Sequence, residues 1–314
     1  MFKKVLVPVD NSGLARDFMP YVSQIAKGLE IPVVLLSVVD PRPFGGGRSL
    51  RAEYQQFVTD ENFETAVSET ERRLNEELGE PLRQQGLRVE AVAALGEPAV
   101  EIVRTASNMG CDLIAMSTHG RGRLGRAFLG SVTSKVVHSS RLPTLIINPE
   151  RAKKYGEEGG TISRIMAPLD GSDLAETSLP YVTELARKFS LEVDLVQVVQ
   201  LIHGYGDEFY SPVYVDMQID LEKWAADYIG SVAERLSGEG IETKTNILQG
   251  FSVATSIVDF ARQTPSDLII LTTHGYSGVN EMVFGGVAEA LVTGSGDPVL
   301  VIPAMDPDDR FLPK

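Results

Sequence analysis

The chain repeats itself. The segment Val5-Leu-Val-Pro-Val-Asp-Asn-Ser12 returns 160 residues later as Ile165-Met-Ala-Pro-Leu-Asp-Gly-Ser172, and Pro20-Tyr21-Val22 returns at the same offset as Pro180-Tyr181-Val182. Further on, Cys111-Asp-Leu-Ile-Ala-Met-Ser-Thr-His-Gly120 is matched by Ser266-Asp-Leu-Ile-Ile-Leu-Thr-Thr-His-Gly275 at an offset of 155. A period this long is a whole domain, not a solenoid unit, and 314 residues suit two domains of ~100–200 residues. The expected division is one domain at 1–150, a linker at 151–161, a second domain at 162–305 and a tail at 306–314. The stretch 156–161, rich in Gly and Glu, is the natural tether.

Each copy alternates short apolar runs with helical patterns. Residues 5–9 and 33–39 are β-branched-rich runs that read as strands buried on both faces. Between them Leu14, Met19, Val22, Ile25, Ala26 and Leu29 recur at helical spacing, opened by Ser12 as an N-cap. Residues 60–85 read as a charged helix with an irregularity at Gly79 and Pro81. A strand at 89–94, a helix at 98–107, a strand at 112–116, a helix at 131–139 and a strand at 144–147 complete the copy. The second copy ends in a strand at 299–302. The pattern predicts an α/β fold: two tandem doubly wound domains, each a five-stranded mostly parallel sheet with helices on both faces. Ligands of such sheets sit beyond the carboxyl ends of the strands, where strand order reverses. The loops after Val9, Val38 and Met116 are therefore the ones to read for chemistry.

Composition removes several functions. The chain has one cysteine, Cys111, and four histidines, so neither a disulfide framework nor a clustered metal site is expected. No apolar run approaches the ~18 residues of a membrane span. Met1-Phe2-Lys3-Lys4 imitates a signal n-region, but Pro8 and Asp10 interrupt the apolar stretch, and a cytoplasmic protein without a membrane partner is expected. The net charge of −14 argues against nucleic-acid binding. It is also lopsided. Residues 1–150 carry 17 Lys+Arg against 18 Asp+Glu, whereas the remainder carries 12 against 25.

The loop after the fourth strand is the most informative stretch: Ser117-Thr-His-Gly120-Arg-Gly-Arg-Leu-Gly-Arg-Ala-Phe-Leu-Gly130-Ser131-Val132. Gly130 and Ser131 fall where a helix begins. Its backbone N–H groups and the positive end of its dipole suit an anion, and Arg121, Arg123 and Arg126 add positive charge. The plainer reading is a solvated arginine loop with a simple cap. A P-loop is excluded, because no Gly-Lys-Ser/Thr is present, and Gly45-Gly46-Gly47 reads as a flexible insertion. Asp10 and Asp170 follow the first strand of each copy. They suit hydrogen bonds from an adenine or ribose, or helix capping beside Ser12 and Ser172. His119 and His274 have no nearby carboxylate or nucleophile in sequence and read as loop-ordering residues. Cys111 precedes a buried strand and reads as inert. Trp224, in helical register with Leu221 and Tyr228, reads as core or interface.

Each half resembles a universal stress protein domain, and the whole resembles a tandem universal stress protein. The resemblance rests on Lys4-Val-Leu-Val-Pro-Val-Asp10, on Leu35-Leu-Ser-Val-Val-Asp40 and on the loop ending Gly130-Ser131. ATP-binding members show Gly, two residues, Gly, nine residues, then Gly-Ser/Thr. That pattern maps onto Ser117, Gly120, Gly130 and Ser131, with Ser117 replacing the first glycine. The resemblance implies that Pro8, Val9, Asp10 and Val38 frame adenine and ribose. Ser117, His119, Gly120, Arg121, Arg123, Arg126, Gly130, Ser131 and Val132 would then surround the phosphates of ATP, with or without Mg2+. In the second copy the pattern maps onto Thr272, Gly275, Gly285 and Gly286, beside Asp170 and Val198. There the hydroxyl residue has become Gly286, and the loop has no arginine and contains Glu281. A weaker or degenerate second site is expected.

The function implied is ATP binding by a regulatory protein of the stress response, acting on an unidentified protein partner. The alternatives are a slow ATPase or adenylyl-transfer enzyme of the same α/β group, and an interaction module that binds no nucleotide. No catalytic residue stands out. Single-domain relatives dimerise through their last strands, so 144–147 and 299–302 should pair within this chain. Two chains are then expected to associate as a homodimer.

Overall fold

In the computed structural model the described residues are 2–10, 15–41, 60–118, 129–155, 160–201, 212–264, 266–273 and 284–303. The first half supplies β1 (Val5–Pro8), β2 (Val33–Val39), β3 (Val89–Leu95), β4 (Leu113–Ser117) and β5 (Thr144–Ile147). The second supplies β6 (Arg164–Pro168), β7 (Glu192–Gln200), β8 (Thr243–Gly250), β9 (Leu268–Thr272) and β10 (Val299–Ile302). They join into one ten-stranded sheet in the order β3-β2-β1-β4-β5-β10-β9-β6-β7-β8. Pairing is parallel within each half and antiparallel at the centre, where Leu145 faces Leu300. The two last strands therefore cover each other's edges, the internal pairing implied by the repeat.

The strands in the middle of each half are apolar throughout because both of their faces are covered. Leu6 and Val7 of β1, Ile114 and Ala115 of β4, and Ile269 and Ile270 of β9 are all fully buried. On one face lie α1 (Ala15–Leu29), and α2 (Asp60–Leu74) with its continuation α3 (Glu80–Gln84). The opposite face carries α4 (Pro98–Asn108) and α5 (Ser131–Ser139). The irregularity expected at Gly79 and Pro81 is a π-helical turn, Asn75–Gly79, in which the Glu80 N–H reaches back five residues to the Asn75 carbonyl. Proline has no N–H to continue the regular ladder, so the helix widens just before it.

The expected linker is only partly a tether. Residues 149–155 form α6 (Pro149–Ala152) and a 3-10 turn, Lys153–Tyr155. Ala152 and Tyr155 are buried. The Tyr155 ring meets Tyr21 of α1 edge-on at 4.7 Å, and its hydroxyl donates to Asp267 Oδ1 at 2.7 Å. Apolar burial of the tyrosine ring, which Gly/Glu composition nearby conceals, holds this stretch against both halves.

The second half repeats the arrangement with α7 (Asp173–Glu176), α8 (Leu179–Phe189), α9 (Pro212–Gly238), α10 (Val253–Gln263) and α11 (Gly286–Gly294). Pro20 lies inside α1, whereas its counterpart Pro180 sits in the first turn of α8, after the break that ends α7. At the pseudo-dyad α1 and α8 approach so closely that a Cβ on Gly28 would stand 2.1 Å from Cε1 of Phe189. Of the two readings of Trp224, core or interface, the structure removes core. Trp224 is half exposed, stacked on Tyr228 with ring centroids 5.8 Å apart, and rests against Gly171. The core-facing line of α9 is instead Ala225, Ile229, Val232 and Leu236.

Candidate functional site

Strand order reverses between β1 and β4, so a crevice is expected above their carboxyl ends. Pro8 ends β1, and the Val9 N–H extends its ladder to the Leu36 carbonyl at 2.8 Å, leaving Asp10 exposed at the rim. Val38 lies near the end of β2 and Ser117 ends β4. One residue further, the Thr118 N–H donates to Ile147 O at 2.9 Å, and Thr118 O accepts from the Gly130 N–H at 2.8 Å. That bond closes the loop and sets the start of α5 directly beside the end of β4. Val38 and Val132 pack on the same apolar cluster, around Leu36 and Met116. The structure thus brings together Pro8, Val9, Asp10, Val38, Ser117, Gly130, Ser131 and Val132 at one edge. His119, Gly120, Arg121, Arg123 and Arg126 lie outside the described residues, as does Gly275.

The start of α5 is chemically specific. Gly130 is its N-cap, with φ −57° and ψ 146°, and offers no side-chain acceptor to the first turn. The first intrahelical bond runs from Ser134 N to Gly130 O at 2.8 Å, so the N–H groups of residues 131–133 point out of the helix unmatched by it. The first turn holds no acidic residue. The Thr133 hydroxyl donates to Ser117 O at 2.9 Å and pins the turn to the strand end. Sequence reading missed Thr133, although its place two residues after Ser131 was visible.

The second half keeps the backbone and changes the chemistry. Gly285 N donates to Thr273 O at 2.9 Å, Thr273 N to Ile302 O at 2.8 Å, and Gly285 caps α11 with no side-chain acceptor. Yet where the first half reads Gly130-Ser-Val-Thr-Ser134, the second reads Gly285-Gly-Val-Ala-Glu289. Three hydroxyls are gone, and a carboxylate stands in the first turn of α11. A negative charge there occupies the favourable end of the dipole and repels a second anion. Val198 and Val287 line the apolar wall as Val38 and Val132 do. Thr272 is buried at the end of β9. Ser172 is the N-cap of α7 and Asp170 orients it: Asp170 Oδ1 accepts from Ser172 N at 3.0 Å and Ser172 Oγ at 2.6 Å, and Ser172 Oγ accepts from Ala175 N at 3.1 Å.

Elsewhere, burial pushes the Cys111 thiol up to about 11, in keeping with an inert cysteine. Among the described residues no cluster of three or more His, Cys, Asp or Glu could hold a metal, and no helix is long and apolar enough to cross a membrane.

A model of the universal stress protein family matches the chain twice, over residues 1–148 and 161–303. The chain belongs to the universal stress protein family. A universal stress protein of Mycolicibacterium smegmatis is 21% identical over 304 residues, covering 95% of this chain and 96% of that one. Universal stress protein MJ0577 of Methanocaldococcus jannaschii is 29% identical over 156 residues, 47% of this chain and 95% of its own length. Among solved structures, a universal stress protein from Archaeoglobus fulgidus superposes with a TM-score of 0.67 at 20% identity, covering 96% of this chain and 98% of that one. These likenesses fit a tandem universal stress protein with a parallel-dominated α/β sheet.

Proposed function

We propose that the first half binds ATP, with or without Mg2+, and that the second half is a degenerate copy which binds nucleotide weakly or not at all. In this reading Pro8, Val9, Asp10 and Val38 border the base and ribose. Ser117, Gly130, Ser131 and Val132, with His119, Gly120, Arg121, Arg123 and Arg126 of the intervening loop, surround the phosphates. The observation that carries it is the first turn of α5: three N–H groups that the helix's own ladder leaves unused, the Ser131 and Ser134 hydroxyls and no carboxylate, set at the topological switch point of the sheet. The molecule is then a cytoplasmic regulator of the stress response, whose nucleotide state alters its contacts with a protein partner or with a second copy in a homodimer. Efficient hydrolysis would need a base set beside a nucleophile, and this reading assigns neither role to a residue of the rim.

The test is chromatography of the nucleotide released when freshly purified protein is denatured, followed by titration of emptied protein with ATP and magnesium. One adenine nucleotide per chain, lost in a Ser131→Ala/Gly130→Val variant that keeps the parent melting temperature, is the expected result. No released nucleotide and no thermal shift with ATP would overturn it, and two equally occupied sites would overturn the asymmetry. Sustained turnover that Ser131→Ala abolishes would establish the enzyme instead.

A further inference from the structure

α9 carries an exposed surface for which nucleotide binding has no use. Among its described side chains Ala225 is the first buried one, and before it Val215, Met217, Ile219 and Trp224 are each 48–56% exposed. At about 100° per residue, spacing sorts the helix into stripes. Ala225, Ile229, Val232 and Leu236 face the core. Asp216, Asp220 and Asp227 fall on the opposite side with Lys223. Met217 and Trp224 form one apolar flank, toward Gly171. Val215 and Ile219 form the other, toward the β8 edge, where Gln249 Nε2 donates to Glu222 Oε1 at 2.8 Å. At that edge Ile247 and Phe251 are also exposed. Aligned through Gly86 and Gly240, the first half has Glu61, Phe63, Thr65 and Thr70 where the second has Val215, Met217, Ile219 and Trp224. At these four positions the first half thus has one apolar residue, Phe63, against four in the second.

We propose that this surface binds a basic amphipathic helix, a polypeptide segment whose apolar face is bordered by lysine and arginine. Apolar flanks of this extent call for an apolar cover. The carboxylate ridge between them, in a half carrying 25 acidic against 12 basic residues, selects a cationic partner. The same ridge disfavours a second copy laid α9 against α9, since the two rows of aspartates would oppose each other.

Trp224 is the sole tryptophan, so its emission reports directly on the surface. The probe is a synthetic leucine–lysine amphipathic helix of about 18 residues, near five turns, with a leucine–glutamate helix as control. The lysine peptide should blue-shift Trp224 emission saturably. Met217→Ser/Ile219→Ser and Asp216→Asn/Asp220→Asn should each weaken binding at least ~10-fold, about 1.4 kcal/mol. Glu242→Gln/Asp259→Asn, which removes two exposed carboxylates outside α9 in the same half, should leave it unchanged. Equal binding of the glutamate peptide, equal loss in the remote variant, or an unshifted emission would overturn the proposal. So would concentration-dependent self-association that Ile219→Ser abolishes, which would make a second copy the occupant.

Discussion

Asp267 is the residue through which the connecting segment, the first half and the second half are tied, and its removal should show how far the halves fold as one. Its Oδ1 accepts from the Tyr155 hydroxyl at 2.7 Å, and its Oδ2 from Ser163 N at 2.9 Å, Ser163 Oγ at 2.7 Å and Arg164 N at 3.2 Å. The Tyr21 hydroxyl donates to its backbone carbonyl at 2.8 Å, a bond no side-chain substitution removes. In Asp267→Ala the Tyr155 hydroxyl, on a residue only 4% exposed, loses a charged acceptor, which costs about 1–3 kcal/mol. Ser163 is exposed, so water replaces most of its lost bonds and adds about 1 kcal/mol. The total of roughly 2–4 kcal/mol corresponds to a fall of about 3–6 °C in melting temperature for a chain of this size melting as one unit.

The repeat supplies the control. Asp112 occupies the corresponding place in the first half and accepts from the N–H groups of Lys3 at 2.9 Å and Lys4 at 3.0 Å. With Lys3 exposed, Asp112→Ala should cost about 1 kcal/mol. Differential scanning calorimetry is the assay, with Tyr155→Phe completing a double-mutant cycle. Asp267→Ala and Tyr155→Phe should be less than additive by about 1 kcal/mol or more, since each removes the same bond. The reasoning fails if Asp267→Ala melts with the parent, if Asp112→Ala is as damaging, or if the unaltered protein shows two separate transitions.

Burial raises the phenols of Tyr21 and Tyr155 well above the ordinary value of 10.0, and neighbouring Asp267 adds to both. The folded chain therefore retains protons that the unfolded chain releases, so stability should be level below about pH 10 and fall as pH rises beyond it. Tyr155→Phe should flatten that fall in urea titrations, and an unchanged alkaline slope would refute the cause. Gly28→Ala drives a methyl into the Phe189 ring; it should destabilise by about 1–3 kcal/mol in chemical denaturation and be rescued by Phe189→Ala. A Cβ on Gly286 meets nothing within 4 Å, so Gly286→Ser should fold normally. It should still leave ATP affinity of the second half well below that of the first by calorimetric titration, because Glu289 remains.

Much of this fold is legible in the sequence because period and punctuation agree. The runs 33–39, 144–147 and 299–302 are β-branched and apolar and become the strands Val33–Val39, Thr144–Ile147 and Val299–Ile302. Gly130 marks the helix Ser131–Ser139, and Gly79 with Pro81 marks the π turn. Of the two readings of Trp224, core or interface, core fails because an apolar stripe through Met217, Leu221, Trp224 and Tyr228 lies beside the one through Ala225, Ile229, Val232 and Leu236. Periodicity finds both and cannot rank them; only docking on β7 and β8 decides which is buried. Residues 151–155 fall in the expected linker, 151–161, since nothing local announces that Tyr155 finds Tyr21 and Asp267, partners far away in sequence. The site was legible as a strand-loop-helix corner, and a place for Asp170 beside the cap Ser172 was one of two readings that spacing left open.

The first turns of α5 and α11 differ in a way that a shared fold requirement does not explain. If hydroxyls at 131, 133 and 134 were needed only to start a helix, the second half would need them too. Yet α11 begins at the corresponding place with Gly286, Ala288 and Glu289. What holds α11 is apolar contact: Ala288 is 1% exposed and Phe284 is buried in a cluster that includes Val137 and Ile146 of the first half. In α5 the corresponding side chain, Thr133, instead ties the turn to Ser117 O. The two helices are thus equally well seated by different means, and the hydroxyl-bearing one is the one whose loop carries the arginines. Because the β5–β10 pairing and the shared cores bury both halves whatever their loops carry, the second half is free to drop anion chemistry without loss of fold. Under the proposed function, its net acidity and the apolar flanks of α9 would then serve a surface that meets protein, on the same frame whose other half would hold nucleotide.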